Sequence, residues 1–456
     1  MRVVIIGTGY VGSVTGAGLA SAGHDVICTD VNKEKIDAWN GDTPPIIEPG
    51  LFELVKKHRG KNLIFTTELT NALNEAEFVF VCVNTPQKEN GINKGSFDMR
   101  YVDSSARTIA QHVCDGVIIV EKSTVPLRTA EHLTRVLRAN MNDKKFAVVS
   151  NPEFLAEGTA VEDFLHPDRV LIGTKNEDEW ARVKMAELYS WVPKDKLIFP
   201  NLWSSELAKL ANNLSLVMRL TTINSLTELC EETGADITEV SKVVGMDKRL
   251  SQYFLRAGVG FGGSCFRKDV SALIYLMGHY FGADNPYGKL FSAALSLNDH
   301  LRTRFVQSIG YYLHSFGSKT IVLLGLSFKP ETDDVRDAPA VTIAKYLLED
   351  GARLRIVDPV ATKHAKTLFQ EYLSQIELFD KPDNVFEGAH AIVVVTEWKQ
   401  FQDIDFNSAA PKMQKPAWVF DGRNMLDPKK ITTAGLNYYG IGRGVFYADL
   451  SSPNAK

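Results

Sequence analysis

The sequence predicts an α/β protein with two domains, each built on a parallel β-sheet, and a helical region between them. Short β-branched runs alternate with helical patterns over residues 1–200, and the alternation returns from Lys319 onward. Between these stretches, apolar residues recur at helical spacing from Ser204 to about Thr233, which is typical of a long central helix. We therefore expect domains at residues 1–200, 201–300 and 315–445, with a tail at 446–456 that lacks fixed structure.

Composition and charge argue against several classes of protein. The 456 residues are 45% hydrophobic and 23% charged, and a net charge of -4 gives no overall attraction to nucleic acid or to anionic membranes. No apolar run approaches the roughly 20 residues that span a bilayer, and the N-terminus lacks the features of a signal peptide. The five cysteines and ten histidines show no metal-binding spacing. We expect a reduced, cytoplasmic protein without a metal.

The first strand leads into a glycine-rich turn. Val3–Ile6 is a continuous apolar run, typical of a strand that is buried on both faces. A helix over Ser13–Ala22 follows the turn, and a second strand over Asp25–Thr29 ends at Asp30. This order of strand, turn, helix, strand and acid is the dinucleotide-binding fingerprint of a Rossmann-like domain. The turn contributes Gly7, Gly9, Tyr10, Val11 and Gly12.

Asp30 predicts which dinucleotide is bound. A carboxylate at the end of the second strand accepts hydrogen bonds from the ribose hydroxyls and repels a 2′-phosphate, so NAD is favoured over NADP. Lys35 lies five residues further on. The sequence supports two interpretations of this lysine equally, a cofactor contact and a solvated surface side chain.

Later strands of the first sheet end in polar, turn-forming residues. The predicted strands are Phe78–Val83, Val117–Val120 and Phe146–Ser150. Ligands bind at the carboxyl ends of parallel strands, so we expect the residues that follow to form the rim of the cofactor site, although each segment alone could be only a turn. The rim residues include Asn84, Thr85, Pro86, Ser123, Thr124, Glu153 and Glu157.

Four glycines surround one thiol between Gly258 and Asp269. Glycine lets a ligand approach the backbone closely, so we expect these glycines to give a substrate carbon access to the sulfur of Cys265. Lys268 and Asp269 follow directly, and neighbouring charges change the pKa of a thiol. A lone cysteine is usually a buried structural residue. Here the glycines and the charges favour a nucleophile.

Other polar side chains have both a functional and a structural interpretation. Lys209 and Asn213 lie four residues apart on the predicted central helix and face the same side, as an oxyanion clamp or as a solvated pair. The second sheet lacks a glycine fingerprint, so we do not expect it to hold a dinucleotide. Lys329, Arg336 and Arg423 follow its strands, where they are phosphate ligands or surface charges.

Seven motifs together resemble the UDP-glucose 6-dehydrogenase family. They are GTGYVG at Gly7, VNTP at Val83, EKSTVP at Glu121, NPEFLAEGTA at Asn151, ELAKLANN at Glu206, GVGFGGSCFRKD at Gly258 and DGR at Asp421, and the resemblance extends from Met1 to about Gly444. It implies an NAD-binding first domain, a central helix that builds a homodimer or a higher homo-oligomer, and a UDP-binding last domain. It also implies oxidation of the C6 alcohol of UDP-glucose to a carboxylate with two NAD reduced.

The resemblance implies catalytic roles for six residues. Cys265 matches the nucleophile that forms a thiohemiacetal and then a thioester. A lysine and an asparagine that stabilise negative charge on oxygen match Lys209 and Asn213. Two residues match groups that act through a water molecule in proton transfer, and a carboxylate matches the group assigned to thioester hydrolysis. These last three are Asp269, Thr124 and Glu153.

The same resemblance implies the contacts with the two ligands. The residues that match cofactor contacts are Gly7, Gly9, Tyr10, Val11, Gly12, Asp30, Lys35, Val83, Asn84, Thr85, Pro86, Ser123, Thr124, Glu157, Cys265, Lys268 and Arg336. The residues that match substrate contacts are Glu153, Phe154, Leu155, Ala156, Glu157, Lys209, Asn213, Arg249, Arg256, Gly260, Phe261, Gly262, Phe328, Lys329 and Arg423. Arg249, expected on a helix that leads into the cysteine loop, matches an arginine that reaches the substrate of the neighbouring subunit.

Several alternatives stay open at the level of sequence. GDP-mannose and UDP-N-acetylmannosamine dehydrogenases use the same chemistry, a two-electron hydroxyacid dehydrogenase shares the first domain, and a catalytically silent nucleotide-sugar sensor would keep the fold. Many bacterial members of the family carry proline where this chain has Arg267. Because proline fixes φ, we expect the loop after Cys265 to be more mobile here.

Overall fold

The computed structural model describes residues 1–88, 90, 94–141 and 144–448. The chain divides into two compact units. The first unit comprises Met1–Asn212 and Lys268–Asn285, and the second comprises Asn213–Arg267 and Pro286–Lys456.

The first unit contains a six-stranded sheet in which every pair of neighbouring strands is parallel. The spatial order is β3-β2-β1-β4-β5-β6, so the order reverses between β1 and β4. Both of these strands are apolar and almost entirely buried, as the sequence predicts. The strands are β1 Arg2–Ile6, β2 Asp25–Thr29, β3 Leu63–Thr66, β4 Phe78–Val81, β5 Val117–Glu121 and β6 Phe146–Ser150.

Helices cover this sheet, and a short pair of parallel strands, β7 Val170–Leu171 and β8 Leu197–Ile198, lies apart from it. The buried helix α1 is rich in small residues, which lets it pack closely on the strands. Gly16, for example, lies where a Cβ would come within 2.3 Å of the Cys28 sulfur. The helices are α1 Tyr10–Ser21, α2 Lys33–Asn40, α3 Leu51–His58, α4 Leu69–Leu73, α5 Arg100–His112, α6 Thr129–Asn140, α7 Ala160–Leu165 and α8 Glu179–Leu188.

A helical segment follows in the chain. The central helix α9, Leu202–Asn224, begins in the first unit and ends in the second. It is followed by α10 Thr227–Thr233, α11 Ile237–Gly245, α12 Phe266–Phe281 and α13 Pro286–Leu313. The predicted helical pattern from Ser204 to Thr233 therefore consists of two helices with a break after Asn224, and α13 continues well past the expected end at residue 300.

The second unit contains a seven-stranded sheet in the order β11-β10-β9-β12-β13-β14-β15. All pairs are parallel except β14 with β15, which is antiparallel. The strands are β9 Thr320–Leu324, β10 Arg353–Val357, β11 Ile376–Phe379, β12 Ala391–Val394, β13 Trp418–Asp421, β14 Asn437–Gly440 and β15 Gly444–Phe446. The helices that follow α13 are α14 Pro339–Glu349, α15 Thr362–Leu368, α16 Phe406–Ala409 and α17 Pro428–Thr433.

The turn after β9 differs from the glycine turn after β1. The carboxylate of Asp358, which is fully buried, accepts hydrogen bonds from the backbone N–H groups of Leu326 and Ser327 at 2.7 and 3.0 Å. The indole N–H of Trp398 donates to the same oxygen at 3.2 Å. A carboxylate that follows strand β10 of the same sheet therefore occupies the backbone N–H groups of this turn.

The predicted tail begins too early. Phe446 ends strand β15, and the ring of Tyr447 packs edge-on against Trp418 with 6.2 Å between the ring centroids. The sequence predicts a tail without fixed structure from residue 446, and this start is wrong because residues 446–448 have fixed positions. Residues 449–456 lie outside the described part of the chain.

Candidate active site

The glycine turn after β1 has the shape that a pyrophosphate needs. Gly7 has φ +99°, and a Cβ there would lie 2.7 Å from the carbonyl oxygen of Cys82. A Cβ on Gly12 would lie 1.8 Å from the carbonyl oxygen of Gly7, so neither position accepts a larger residue. Helix α1 begins at Tyr10, no described side chain caps its N-terminus, and its first turn carries no acid. The helix end therefore suits an anionic phosphate, and the turn fits a dinucleotide.

Asp30 lies at the end of β2 beside this turn. Its carboxylate accepts hydrogen bonds from the backbone N–H and the hydroxyl of Thr8, both at 2.9 Å, and Lys35 Nζ lies 3.3 Å away. Burial acts to raise the pKa of Asp30, but hydrogen bonds from backbone N–H groups and the Lys35 charge bring it below its ordinary value. Asp30 is therefore an anion at neutral pH, and the structure places Lys35 beside it.

Two of the predicted strand-end segments meet. The hydroxyl of Ser123 donates to the carbonyl oxygen of Val83 at 2.7 Å, and the hydroxyl of Thr85 donates to the carbonyl oxygen of Thr124 at 2.6 Å. These bonds join the segment after β4 to the segment after β5. The rim predicted from the sequence is thus a connected structure, with its role in binding still a prediction.

Glu48 joins the third segment to the glycine turn and was not predicted. Its carboxylate accepts a hydrogen bond from the Tyr10 hydroxyl and others from the N–H groups of Gly158 and Ala160, at 2.6 and 2.7 Å. Tyr10 thereby lies within electrostatic reach of Glu157. Glu48 is in an irregular stretch of sequence without a recognisable motif, so no sequence pattern indicates this contact.

A buried ion pair joins Glu153 to the central helix. Lys209 Nζ lies 2.8 Å from Glu153 Oε1, and both side chains are less than 8% exposed. The other carboxylate oxygen accepts from the N–H of Leu155 at 2.7 Å. Burial acts to raise the pKa of Glu153, but Lys209 and the Leu155 N–H lower it below its ordinary value. Asn213, one turn after Lys209, is also buried. The interpretation of Lys209 and Asn213 as a solvated surface pair is therefore wrong.

Aromatic and basic groups extend this cluster. The ring of Phe154 has the guanidinium of Arg169 at 3.9 Å and Lys209 Nζ at 5.6 Å from its centroid. Arg169 also donates to the side-chain oxygen of Asn212 at 2.8 Å. Arg169 follows a proline and an aspartate in a loop, and the sequence gives no signal for this role.

In the second unit, the glycines of the cysteine loop lie close to other parts of the same unit. A Cβ on Gly260 would lie 2.5 Å from the side-chain oxygen of Asn298, and one on Gly262 would lie 2.6 Å from the carbonyl oxygen of Asp337. At Gly263 a Cβ would lie 2.9 Å from the Phe328 ring. These three glycines let the loop pack closely against its own unit, and their role in access to the sulfur stays a prediction.

Three polar side chains hold this loop and were not predicted. Asn298 accepts from the N–H of Phe261 at 2.8 Å and donates to its carbonyl oxygen at 3.1 Å. Arg302, which is buried, donates to the same carbonyl oxygen at 2.6 Å and forms an ion pair with Asp337 at 2.8 Å. Asp337 also pairs with Arg267 at 2.9 Å. The sequence spreads these residues over about 80 positions, so only the fold reveals the cluster.

Arg267 is thus restrained by contacts. Besides Asp337, its guanidinium pairs with Asp299. Two carboxylates therefore hold the position at which a proline would have fixed φ. The expectation that arginine leaves this loop more mobile has no support in these contacts.

Cys265 itself is exposed and directly precedes helix α12. Its sulfur lies 3.5 Å from the hydroxyl oxygen of Ser264. In the first unit, Lys268 Nζ forms an ion pair with the buried Asp269 at 2.8 Å and lies 4.5 Å from the centroid of the Phe97 ring.

Arg423 and Lys329, which are predicted to contact the substrate, differ in their surroundings. Arg423 is largely buried, donates to the carbonyl oxygens of Val395 and Gly260 at 2.6 and 3.2 Å, and pairs with Glu397 at 3.2 Å. Arg423 therefore joins the second sheet to the cysteine loop. Lys329 Nζ lies 5.5 Å from the centroid of the Phe328 ring.

Three predicted arginines lie at the surface. Arg336 pairs with Asp334 at 2.7 Å, and Arg249 pairs with Asp247 at 2.6 Å, each with its side chain more than 60% exposed. Arg256 is exposed as well and donates to the carbonyl oxygen of Asn424 at 3.3 Å. Arg249 lies in a turn after α11 ends at Gly245, which corrects the expectation that it lies on a helix.

Within the described residues, neither a candidate metal site nor a candidate membrane span is present. No group of three or more His, Cys, Asp or Glu side chains there could hold a metal ion. No helix in the same part of the chain is long and apolar enough to cross a membrane.

Three consecutive segments of the chain match the three domains of one protein family. Residues 1–192 match the NAD binding domain of the UDP-glucose/GDP-mannose dehydrogenase family, residues 203–300 match its central domain, and residues 322–428 match its UDP binding domain. The chain belongs to this family. The family predicted from the seven motifs is confirmed, and so is the prediction of an NAD-dependent oxidoreductase.

Individual relatives are similar over almost their whole length. UDP-glucose 6-dehydrogenase from Mus musculus is 42% identical, with 97% of this chain and 94% of the relative covered. UDP-glucose 6-dehydrogenase 2 from Arabidopsis thaliana is 40% identical, with 97% of each covered. The solved structure of a UDP-glucose dehydrogenase from the archaeon Pyrobaculum islandicum superposes with a TM-score of 0.85 at 32% identity, covering 96% of this chain and 97% of that one. The predicted α/β class with Rossmann-like sheets is confirmed.

Proposed function

We propose that this chain oxidises UDP-glucose to UDP-glucuronate, with two NAD reduced for each sugar. The relatives named UDP-glucose 6-dehydrogenase support the choice of substrate. The observation that carries the chemistry is the position of Cys265, an exposed thiol at the start of α12 on a loop that Asn298 and Arg302 hold by hydrogen bonds to its backbone.

The oxidation level explains why a thiol is needed. Taking an alcohol to an acid removes two hydrides from the same carbon, and NAD, when bound, supplies the acceptor for both. Loss of the first hydride leaves an aldehyde, which has no second hydride on a tetrahedral carbon. Addition of the Cys265 thiolate to the aldehyde gives a thiohemiacetal, whose C–H can again lose a hydride and yield a thioester.

Hydrolysis then releases the product. Water attacks the thioester carbon, Glu153 takes a proton from that water, the C–S bond breaks and the thiolate leaves. Glu153 suits this base role because its lowered pKa keeps it ionised at neutral pH. We assign Lys209 and Asn213 to stabilisation of the oxygen that carries negative charge, with Asp269 and Thr124 acting through water.

Assembly and location are part of the same proposal. We expect a cytoplasmic homodimer or higher homo-oligomer in which Arg249 reaches the substrate of the neighbouring subunit. Its exposed position on a turn is compatible with that role. We expect domains at residues 1–200, 201–300 and 315–445 to bind NAD, to build the dimer and to bind UDP.

The test is NADH production against a panel of UDP- and GDP-sugars, with the product identified by mass spectrometry. We expect two NADH for each UDP-glucose consumed, with UDP-glucuronate as the product. A preference for GDP-mannose or UDP-N-acetylmannosamine would replace the substrate assignment by one of the sibling activities. Absence of NADH with every sugar, in a protein that binds them, would identify a sensor.

A further inference from the structure

Lys122 is a buried lysine that the proposed chemistry does not yet use. It follows strand β5, directly before the rim residues Ser123 and Thr124, and its side chain is almost inaccessible to solvent. A charged lysine is costly to bury unless it is paired. Nζ of Lys122 lies 3.0 Å from the side-chain oxygen of Asn151 and 3.5 Å from the hydroxyl oxygen of Tyr189, both neutral groups.

Lys122 and Glu153 share a cavity. The cavity has a volume of about 100 Å³, which has room for several water molecules. Lys122, Glu153 and Tyr189 are buried in its walls, whereas His166 and Asp168, which also line it, are exposed. The cavity thus leads from the Glu153 carboxylate to the protein surface within the first unit.

We propose that Lys122 is a positioning residue that acts through Glu153 and passes the proton collected by that carboxylate to solvent through this cavity. The inference rests on the proposed function, in which Glu153 takes a proton from water during thioester hydrolysis. Glu153 must lose that proton before the next turnover. Its Oε1 faces the Lys209 ammonium, which has no lone pair to accept a proton.

The surroundings of Lys122 fit this role. Burial lowers the pKa of Lys122 to about 8, so an appreciable fraction of the side chain is a neutral amine near neutral pH. Three titratable groups that face it affect its pKa: Cys82 and Glu153 act to raise it, and Lys209 acts to lower it. The phenol of Tyr189 also faces Lys122 and stays neutral, because burial raises the pKa of Tyr189. The charged groups nearer the mouth of the cavity are Asp163, His166, Asp168 and Arg169.

The proton balance is simple. The Glu153 carboxylic acid gives its proton to the Lys122 amine, directly or through cavity water, which restores the carboxylate and forms an ammonium. The ammonium then gives a proton to cavity water, and the proton leaves past His166 and Asp168. No oxidant, reductant or further reactant is needed.

The test compares Lys122→Met with Lys184→Met, which removes an exposed lysine from helix α8. Each protein is mixed with NAD and UDP-glucose, the NADH of the first turnover is followed by stopped flow, and the adduct on Cys265 is measured by mass spectrometry. For Lys122→Met we expect the first-turnover burst of NADH to be retained, steady-state turnover to fall roughly tenfold or more, and the thioester to accumulate. Lys184→Met should behave as the wild type.

Chemical rescue separates proton transfer from packing. In Lys122→Ala, ethylamine and the less basic 2-fluoroethylamine can enter the enlarged cavity, and we expect them to restore turnover with a rate that depends on the pKa of the amine. A burst that falls in proportion to turnover, or a failure of every amine to restore turnover, would overturn the inference. A wild-type protein that makes no NADH from UDP-glucose would instead refute the proposed function.

Discussion

Replacement of Lys122 by methionine is predicted to stabilise the folded protein at neutral pH. The pKa of Lys122 falls from its usual 10.5 to about 8 because burial penalises the ammonium. At ~1.4 kcal/mol for each pKa unit, the ammonium costs the folded state about 3 kcal/mol below pH 8. Methionine of similar length removes this cost, and the Asn151 oxygen keeps its bond from Tyr189 at 2.7 Å. Loss of the lysine hydrogen bond subtracts about 1 kcal/mol, leaving a net gain of about 2 kcal/mol.

The sign of the pH dependence gives the prediction its sharpest test. The folded state binds fewer protons than the unfolded state between pH 8 and 10.5, so the wild type gains stability across this window as pH rises. The advantage of Lys122→Met should therefore be largest near pH 7 and disappear between pH 8 and 10.5. Above this window the variant should be about 1 kcal/mol less stable than the wild type, because the lost hydrogen bond is no longer offset. The measurement is the free energy of urea unfolding of both proteins at several pH values, with Lys184→Met as control. A variant that is several kcal/mol less stable at every pH would refute the reasoning.

Three further outcomes follow from the geometry. Asp30→Ser should shift the ratio of kcat/KM between NAD and NADP toward NADP by roughly tenfold, because the repulsion of a 2′-phosphate is lost; an unchanged ratio would contradict the cofactor assignment. Gly260→Ala should lower activity roughly tenfold or more, since its φ is +94° and its Cβ would lie 2.5 Å from the Asn298 oxygen, whereas Gly278→Ala, with open space around it on α12, should be neutral. Glu153 has a lowered pKa in the folded state, so its contribution to stability is present above about pH 4.5 and lost as pH falls below it; the thermal midpoint of Glu153→Gln should change less than that of the wild type between pH 6 and pH 3.5.

The sequence predicts the first sheet well where its patterns are local. The buried runs at β1, β4, β5 and β6 read directly as strands. The glycine turn with Asp30 predicts the cofactor site, and Gly7 and Gly12 lie too close to neighbouring backbone to accept a Cβ. Strand β3 at the edge was missed, since Leu63–Thr66 is short and one of its apolar residues, Ile64, is half exposed. The two-residue strands β7 and β8 are too short to produce a pattern.

The active-site contacts that the sequence did not predict are those between distant residues. Glu48, Asn298, Arg302 and Asp337 lie outside any motif. The first three bind backbone groups of another segment, and Asp337 pairs with the side chains of Arg267 and Arg302. Local periodicity carries no information about such pairs. The packing role of the loop glycines was missed for the same reason, because their neighbours come from elsewhere in the second unit.

Lys209 shows how burial decides between two interpretations. Its spacing from Asn213 is equally typical of a surface pair and of a site. The ion pair with Glu153 at 2.8 Å, away from solvent, removes the surface interpretation. Sequence spacing singled out Lys209 and Asn213, and only the fold supplied Glu153 as the partner of Lys209.

The most direct test of the proposed mechanism is the stoichiometry of Cys265→Ala. NADH formed for each UDP-glucose consumed is measured by absorbance, and the product is identified by mass spectrometry, with Cys230→Ala as a control that removes a buried thiol from the second unit. The wild type and the control should give two NADH and UDP-glucuronate. The Cys265→Ala protein should bind both ligands, give at most one NADH and form no acid, because no thiol captures the aldehyde. UDP-glucuronate formed by Cys265→Ala at a near-normal rate would contradict the covalent mechanism.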